Sequence, residues 1–322
     1  MVIKMIATIT VNPSVDRLYK INILQPNKLN RVKTLKHMVG GKGFNAARVA
    51  SLLGKDTYAF GFVGGNNGDF IRNEAKQDTY KTCFIDTRIE TRNCIQIIDK
   101  NENKTEINEE GLPIPHIFYE QLEENVKHIL EKENINSISL NGSLPQGINY
   151  EFYLKLMKII KKENPNCKII LDTAGSIIKE ILDSDIMPDI IKPNEHEIAD
   201  YLNISVTTDP QKLMEEIRIN KNLSRIPIIF VSLGAKGCLV KAHENYYYAL
   251  PKPVKAINTE GSGDAMVGGI LASFDENSNN IEKVIRYGCA AGTANAMNLK
   301  TGYLDPQIFN KVKQNIQIKQ IN

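Results

Sequence analysis

The run Asn258-Thr259-Glu260-Gly261-Ser262-Gly263-Asp264 leads straight into the apolar stretch Ala265–Ala272. A glycine-rich turn that opens a helix aims several backbone N–H groups at one spot. The helix dipole adds partial positive charge there, so the spot binds anions. Glycine suits the turn because a Cβ would obstruct both the bend and the approach of a phosphate. An anion cradle beside the Asp264 carboxylate is the equipment of phosphoryl transfer, in which a carboxylate takes the proton of the attacking hydroxyl while donors hold the departing charge. The plain alternative is that Asp264 is a helix N-cap and nothing more.

A second such turn, Gly40-Gly41-Lys42-Gly43-Phe44-Asn45, opens a helical stretch over Ala46–Leu53. Its Gly41-x-Gly43-x-x-Ala46 spacing superficially fits a dinucleotide fingerprint. The context fails, because Lys33–Val39 is too polar for a buried first strand and the next strand ends in Gly64-Gly65-Asn66 with no carboxylate for a ribose. No Walker A spacing occurs. What remains is close backbone approach to a polyhydroxyl ligand, with Asn45 able to donate and accept and Lys42 able to meet a phosphate; the alternative is a tight turn. Further polar residues follow strand-like runs: Asn12 and Asp16, then Asn141-Gly142-Ser143-Leu144-Pro145, then Lys192-Pro193-Asn194-Glu195-His196-Glu197. Carboxamides and carboxylates suit sugar hydroxyls, and Asn194 with Glu197 could orient waters on Mg²⁺. Ser232-Leu233-Gly234-Ala235-Lys236-Gly237 ends another strand in a small turn able to hug a nucleotide.

These residues need a scaffold that gathers strand ends. Ile6–Val11, Tyr58–Val63, Ser137–Leu140, Lys168–Asp172, Asp189–Ile191 and Ile228–Ser232 are short apolar runs bounded by turn residues. Between them Leu122, Val126, Ile129 and Leu130, and likewise Phe152, Leu156, Ile159 and Ile160, repeat with helical spacing. The pattern predicts an α/β fold with a mostly parallel sheet covered by helices on both faces, where ligands sit beyond the carboxyl ends of the strands. Two stretches break the rhythm: Val15–Ile23 alternates strictly, and Asn93–Ile98 with Lys104–Ile107 reads as a hairpin-like pair. They predict a small β-sheet standing off the main body as a candidate lid, the alternative being a peripheral decoration of the main sheet.

Composition narrows the function. With 40 basic and 37 acidic residues the net charge is +3, and no basic block with interleaved aromatics occurs, so nucleic acid is not an expected partner. No apolar run approaches the roughly 18–20 residues of a membrane helix. Met5–Val11 follows directly on the first residues with no cleavable signal pattern. The five cysteines (Cys83, Cys94, Cys167, Cys238, Cys289) are scattered, without metal spacing, and read as reduced thiols. A cytoplasmic protein is expected, with disorder only at the polar C-terminal end beyond Phe309.

Assembled in this order, the motifs resemble the PfkB family of ribokinase-like sugar kinases from about Ile6 to Leu304. Gly40–Asn45 is similar to the family's N-terminal signature, Gly261–Gly269 to its C-terminal one, and Lys192–Glu197 to its Asn-x-x-Glu magnesium motif. The resemblance implies a single ribokinase-like domain over residues 1–322, with a lid from about 13–39 and 88–108 that commonly builds a homodimer. It implies Asp264 as general base, with the amides of Gly261, Ser262 and Gly263 as the anion hole. Asp16, Gly41 and Asn45 would hold the sugar. Lys192, Asn194 and Glu197 would serve the phosphates of ATP and, through water, Mg²⁺. Ser232, Gly234 and Gly237, with Asn295 or Asn298, would flank the nucleotide.

Within the family, Asn12-Pro13-Ser14-Val15-Asp16, Asn30-Arg31-Val32, Thr91-Arg92-Asn93-Cys94-Ile95 and Asn141–Pro145 resemble the branch of tagatose-6-phosphate kinases and 1-phosphofructokinases. A phosphorylated sugar needs cations, for which Lys42 and Arg92 are suited and Arg31 could reach in from a lid; Ser143 joins this substrate set. Gly261-Ser262-Gly263-Asp264-Ala265, Thr91–Ile95 and Thr301-Gly302-Tyr303 lean toward tagatose 6-phosphate, whereas Thr105-Glu106-Ile107-Asn108 resembles fructose-1-phosphate kinases. The expected activity is therefore ATP-dependent phosphorylation of the free primary hydroxyl of a ketohexose phosphate. A non-catalytic sugar-phosphate sensor on the same fold is the distant alternative.

Overall fold

The computed structural model describes residues 4–173, 175–274 and 280–322, the side chain of Leu35 excepted. In chain order the strands are β1 (Met5–Thr10), β2 (Ser14–Lys20), β3 (Lys33–Gly40), β4 (Thr57–Val63), β5 (Lys81–Asp86), β6 (Arg92–Ile98), β7 (Lys104–Asn108), β8 (Ile135–Asn141), β9 (Lys168–Asp172), β10 (Ile190–Ile191), β11 (Ile228–Ser232), β12 (Cys238–Ala242), β13 (Asn245–Leu250) and β14 (Gln317–Ile321). The helices are α1 (Lys42–Leu52), α2 (Gly65–Ala75), α3 (His116–Lys132), α4 (Glu151–Glu163), α5 (Gly175–Leu182), α6 (Glu195–Leu202), α7 (Pro210–Ile219), α8 (Lys221–Arg225), α9 (Ser262–Ser273), α10 (Ile281–Ala296) and α11 (Pro306–Gln314).

A 10-stranded sheet runs in the order β14-β13-β12-β11-β10-β9-β8-β1-β4-β5. From β11 to β5 neighbours are parallel, and β12, β13 and β14 close the other edge antiparallel. Alternate residues of the central strands serve two cores. Ile9, Leu140 and Leu171 pack with Leu122, Val126, Leu156 and Ile160 of α3 and α4. Ile6, Ile170 and Phe230 pack with Val49 of α1, Val267 and Ile270 of α9, and Ile285 of α10 on the other face. Helix α9 can lie against α1 because Gly268 lacks a side chain: a Cβ there would sit 2.6 Å from the Ala46 carbonyl oxygen. Toward the carboxyl ends that second face turns polar. Thr10, Asn141 and Asp172 are in register across β1, β8 and β9, and all three are buried.

A separate sheet, β3-β2-β6-β7, pairs antiparallel except for the parallel β2–β6 contact. Val15 and Val39 root it on Phe44, Ala59, Val63 and Ile71 of the main body. The polar stretch Lys33–Val39, unsuited to a core strand, forms an edge of this sheet as part of β3. Each short apolar run noted above coincides with an observed strand, Val11 and Asp189 alone falling just outside β1 and β10, and the two helical spacings fall within α3 and α4.

Two parts differ from expectation. The region beyond Phe309 is ordered: α11 continues to Gln314 and β14 pairs with β13, Tyr246 opposite Ile321 and Leu250 opposite Gln317. Main-chain ladder bonds, with Ile318 against the core, supply the order that its polar composition does not advertise. Strands β12 and β13 were also not foreseen. Their connecting residues His243-Glu244 lack the usual Asn-Gly chemistry, although His243 takes the positive φ of 53° that such turns require. No described helix is long and apolar enough to cross a membrane.

Candidate active site

The N-terminus of α9 is capped by the backbone of Gly261, left-handed at φ 70°, with no side-chain cap bond. Asp264 is therefore not the cap. It sits in the first helical turn, partly buried, and its Oδ2 accepts a 2.9 Å bond from Asn45 Nδ2 on α1. The Ser262 amide bonds back to the Thr259 carbonyl, whereas the Gly263 and Asp264 amides belong to the first turn, which has no acceptor within a helix. Burial first, and then the nearby Asp172 charge, push the Asp264 carboxyl from 3.8 up to about 6; Lys42, the Asn45 bond and Lys192 pull against them.

Asp172, at the end of β9 and 1% exposed, received no role from the sequence, yet it organises the site. Lys42 Nζ lies 3.0 Å and Lys192 Nζ 3.4 Å from the same oxygen, Oδ1. Burial raises the Asp172 pKa, but Lys192 and Lys42 outweigh it and hold the group below the ordinary carboxylate range. Burial likewise works against Lys42, and the carboxylates of Asp172, Asp264 and Glu197 reverse the effect, so it stays protonated well above neutrality. Lys192 stands against the mouth of α9: a Cβ on Gly263 would sit 3.2 Å from its Nζ. Asp172 Oδ2 is buried without a donor among the described residues. The signal that could have found Asp172 is its place as the last residue of a parallel strand.

A cavity of about 740 Å³ opens from Asp264 beneath the small sheet, and Asp16, Gly41, Lys42, Asn45, Arg92 and Gly261 line it. Asp16 Oδ1 accepts from Ser14 Oγ at 2.7 Å; burial raises its pKa against that bond and the Arg92 charge. Arg92 donates to the carbonyls of Asn12 and Glu109, at 3.3 and 2.8 Å. Ser143 is outside the cavity lining but is tied to this corner, since Asn12 Nδ2 donates to its Oγ at 3.1 Å. Across the mouth, Glu260 accepts from Gln96 at 3.0 Å and from Lys104 at 3.3 Å, joining the small sheet to the turn before α9.

Three of the sequence expectations need correction. Lys42 is ion-paired at the α9 end of the cavity rather than set at its far end for a sugar phosphate. Arg31 is exposed in the connection between β2 and β3, outside the cavity lining. Asn295 is wholly buried, with Nδ2 on Glu260 O and Ser262 Oγ and Oδ1 on the Tyr303 amide, so it braces the α9 turn and has no polar atom left for a nucleotide. Asn298, only partly buried, accepts the Lys300 amide on Oδ1 at 3.0 Å, a bond that does not involve its Nδ2.

On the other side of Lys192, Asn194 and Glu197 form a capping box on α6 through Asn194 Oδ1 and Glu197 Oε2, leaving Asn194 Nδ2 and Glu197 Oε1 for other partners. Asn194 bridges to Ser232, which leads to Gly234 and Gly237. Gly237 has a packing reason of its own, as a Cβ would meet the Ala249 carbonyl oxygen at 2.1 Å. No cluster of three or more metal-ligating side chains exists among the described residues.

Parallel strand ends, a helix-mouth carboxylate and a lidded cavity with charged side chains in its walls are the equipment of an α/β phosphotransferase acting on a hydroxylated small molecule. The model of the pfkB family of carbohydrate kinases matches residues 7–307. Tagatose-6-phosphate kinase of Staphylococcus epidermidis is 33% identical over 318 residues, covering 98% of this chain and all of that one. Phosphofructokinase-2 of Escherichia coli, solved with fructose-6-phosphate, superposes with a TM-score of 0.79 at 26% identity over 98% of this chain and 99% of that one. A Thermotoga maritima chain described as a possible 1-phosphofructokinase shares the fold, with a TM-score of 0.83 at 24% identity over 99% and 100% of the two chains. The chain belongs to the pfkB family of carbohydrate kinases. It is a kinase with an alcohol acceptor, which sets aside the sensor reading.

Proposed function

We propose that this kinase moves the γ-phosphoryl group of ATP onto the free primary hydroxyl of a phosphorylated ketohexose, tagatose 6-phosphate foremost, giving tagatose 1,6-bisphosphate. The observation that carries the reading is Asp264: a carboxyl near pKa 6, held by Asn45 at a helix mouth and open to the cavity. Such a group is ionised at neutral pH yet basic enough to accept the proton of the attacking hydroxyl. The identity to tagatose-6-phosphate kinase supports the choice of sugar.

In this reading Asp16, Gly41 and Asn45 take the sugar hydroxyls, and Arg92 with the nearby Ser143 takes the phosphate already present. Lys42 and Lys192, gathered by Asp172, steady the transferred group together with the amides of Gly261, Ser262 and Gly263. Ser232, Gly234 and Gly237 flank the nucleotide. Mg²⁺ takes oxygen ligands and keeps several waters, and the unspent oxygens Glu197 Oε1 and Asp172 Oδ2 fit it, whereas Asn194, with only its Nδ2 donor left, suits a nucleotide phosphate oxygen. When bound, the ion would neutralise nucleotide phosphate charge. The small sheet excludes water that would otherwise compete for the phosphoryl group.

Exposed Leu29 and Ile107 on the small-sheet side support a homodimer through it, and the free cysteines fit a reducing, cytoplasmic setting. A second reading, fructose 1-phosphate as acceptor, is favoured by Glu106 and Asn108 of β7, which line the cavity. An ADP-release assay with Mg²⁺ and tagatose 6-phosphate, fructose 1-phosphate, fructose 6-phosphate or ribose tests both. The highest kcat/KM is expected on tagatose 6-phosphate. Turnover of ribose alone would overturn the sugar-phosphate reading.

A further inference from the structure

Asn45 makes two bonds of opposite sense. Its Nδ2 donates to Asp264 Oδ2 at 2.9 Å, and its Oδ1 accepts from Arg48 Nη1 at 3.0 Å, one helical turn further along α1. A carboxamide can present either end, and the wrong end would set its oxygen against the Asp264 carboxylate. Arg48 has donors only, so the position of its guanidinium decides which way the amide faces. The guanidinium is itself fixed. Nε donates to both oxygens of Asp78, at 3.1 and 3.0 Å, and the side chain is only 11% exposed. Nη1 also lies 3.4 Å from the carbonyls of Thr301 and Gly302. Gly302 crowds Asn45 so closely that a Cβ there would sit 2.4 Å from Oδ1, which leaves the carboxamide little room to turn.

We propose that Arg48, anchored by Asp78, is a positioning residue for the reaction: it locks the Asn45 carboxamide with its NH₂ toward the base Asp264. The inference rests on the reading of Asp264 as base. It adds a chain Asp78–Arg48–Asn45–Asp264 that reaches from the turn after α2 to the reacting end of the cavity. The groups facing Asp264 (Asp172 on β9, Lys42 on α1 and Lys192 after β10) are untouched by a change at Arg48. Arg48 itself faces Asp16, Asp78 and Tyr80. Charge loss and amide disorder must therefore be separated, and Arg48→Lys does so. It keeps the charge, but a single ammonium cannot hold Asp78 and Asn45 in the guanidinium's fixed geometry.

The test measures kcat against pH for wild type, Arg48→Gln and Arg48→Lys, and repeats Arg48→Gln in an Asn45→Ala background. Both single variants are expected to lower kcat by roughly 10-fold or more and to move its acid limb up by about one pH unit, with the KM for ATP within about twofold. In the Asn45→Ala background Arg48→Gln should cost less than about twofold, because its effect passes through the missing carboxamide. An unmoved acid limb, or an undiminished loss in that background, would mean that Arg48 is merely structural and would overturn the inference. Should Arg48→Gln not fold, Arg48→Lys decides by the same limb. If wild type turns over none of the phosphorylated ketohexoses, the functional reading fails, and ¹³C NMR titration of the Asp264 carboxyl still judges this one. A rise of about one unit in Arg48→Lys supports it and an unchanged titration overturns it.

Discussion

Lys42 Nζ stands 3.0 Å from Asp172 Oδ1, which sets the lysine of the first glycine-rich turn at the Asp264 end of the cavity and, in the function proposed above, gives it the moving phosphoryl group rather than the sugar's own phosphate. The two roles leave different kinetic traces. A group that binds the substrate phosphate contributes equally to ground and transition states and changes KM; one that steadies the moving phosphoryl changes kcat. Lys42→Met is expected to lower kcat by about 100-fold or more, with the KM for the sugar phosphate changed less than about threefold. Steady-state kinetics check this, and a KM effect at unchanged kcat would return Lys42 to the sugar.

Asp264 also has a thermodynamic signature. Its pKa is raised from 3.8 to about 6 on folding, first by burial. A carboxyl raised in this way favours the fold most below its unfolded pKa, and that contribution is lost as pH rises through about 6. Asp264→Asn should therefore melt about 3–5 °C above wild type at pH 7.5, with the difference fading toward pH 4. Calorimetry across that range checks the slope, and a gain largest at acid pH would contradict it.

Much of this arrangement was legible from the sequence because glycine, proline and short apolar runs mark strand ends without help from tertiary structure. Asp264, Asn45 and Asp16 were found that way, each just after a run that became a strand or beside a glycine-rich turn that opened a helix. Asp172 escaped because a single carboxylate ending the run Lys168–Asp172 looks like an ordinary strand terminus. Its importance appears only when Lys42 and Lys192, 130 residues and 20 residues away in the chain, are folded onto one oxygen. Asn295 failed in the opposite direction. Sequence shows a polar residue on a late helix, but not that each of its polar atoms is already spent inside the protein. Arg48 received no role from the sequence, because its partner Asp78 meets it only in the fold.

The burial of Asn295 yields a prediction that separates brace from ligand. Asn295→Ala leaves Glu260 O, Ser262 Oγ and the Tyr303 amide without a partner, which costs about 1–3 kcal/mol for each group that stays buried and unsatisfied. The melting temperature should fall by several degrees, with kcat reduced as the α9 turn loosens. An Asn295→Ala enzyme of normal stability with a raised KM for ATP would make the residue a nucleotide contact instead.

Leu29, in the connection between β2 and β3, is 79% exposed and Ile107 on β7 is 52% exposed, and a dimer built through the small sheet would cover them. The chain of 36.1 kDa is expected to sediment as a homodimer, and Leu29→Asp with Ile107→Asp should shift it toward monomer without unfolding it. Sedimentation velocity reads this directly. A monomeric wild type at micromolar concentration would remove the dimer.

The most direct test is a coupled ADP-release measurement comparing wild type with Asp264→Asn on tagatose 6-phosphate, alongside ATP binding by calorimetry. Loss of the base predicts a fall in kcat of about 10²–10⁴, with ATP affinity held within about twofold. An Asn variant that retained roughly a third of wild-type turnover would contradict the assignment of Asp264, because removal of a general base costs at least about 100-fold.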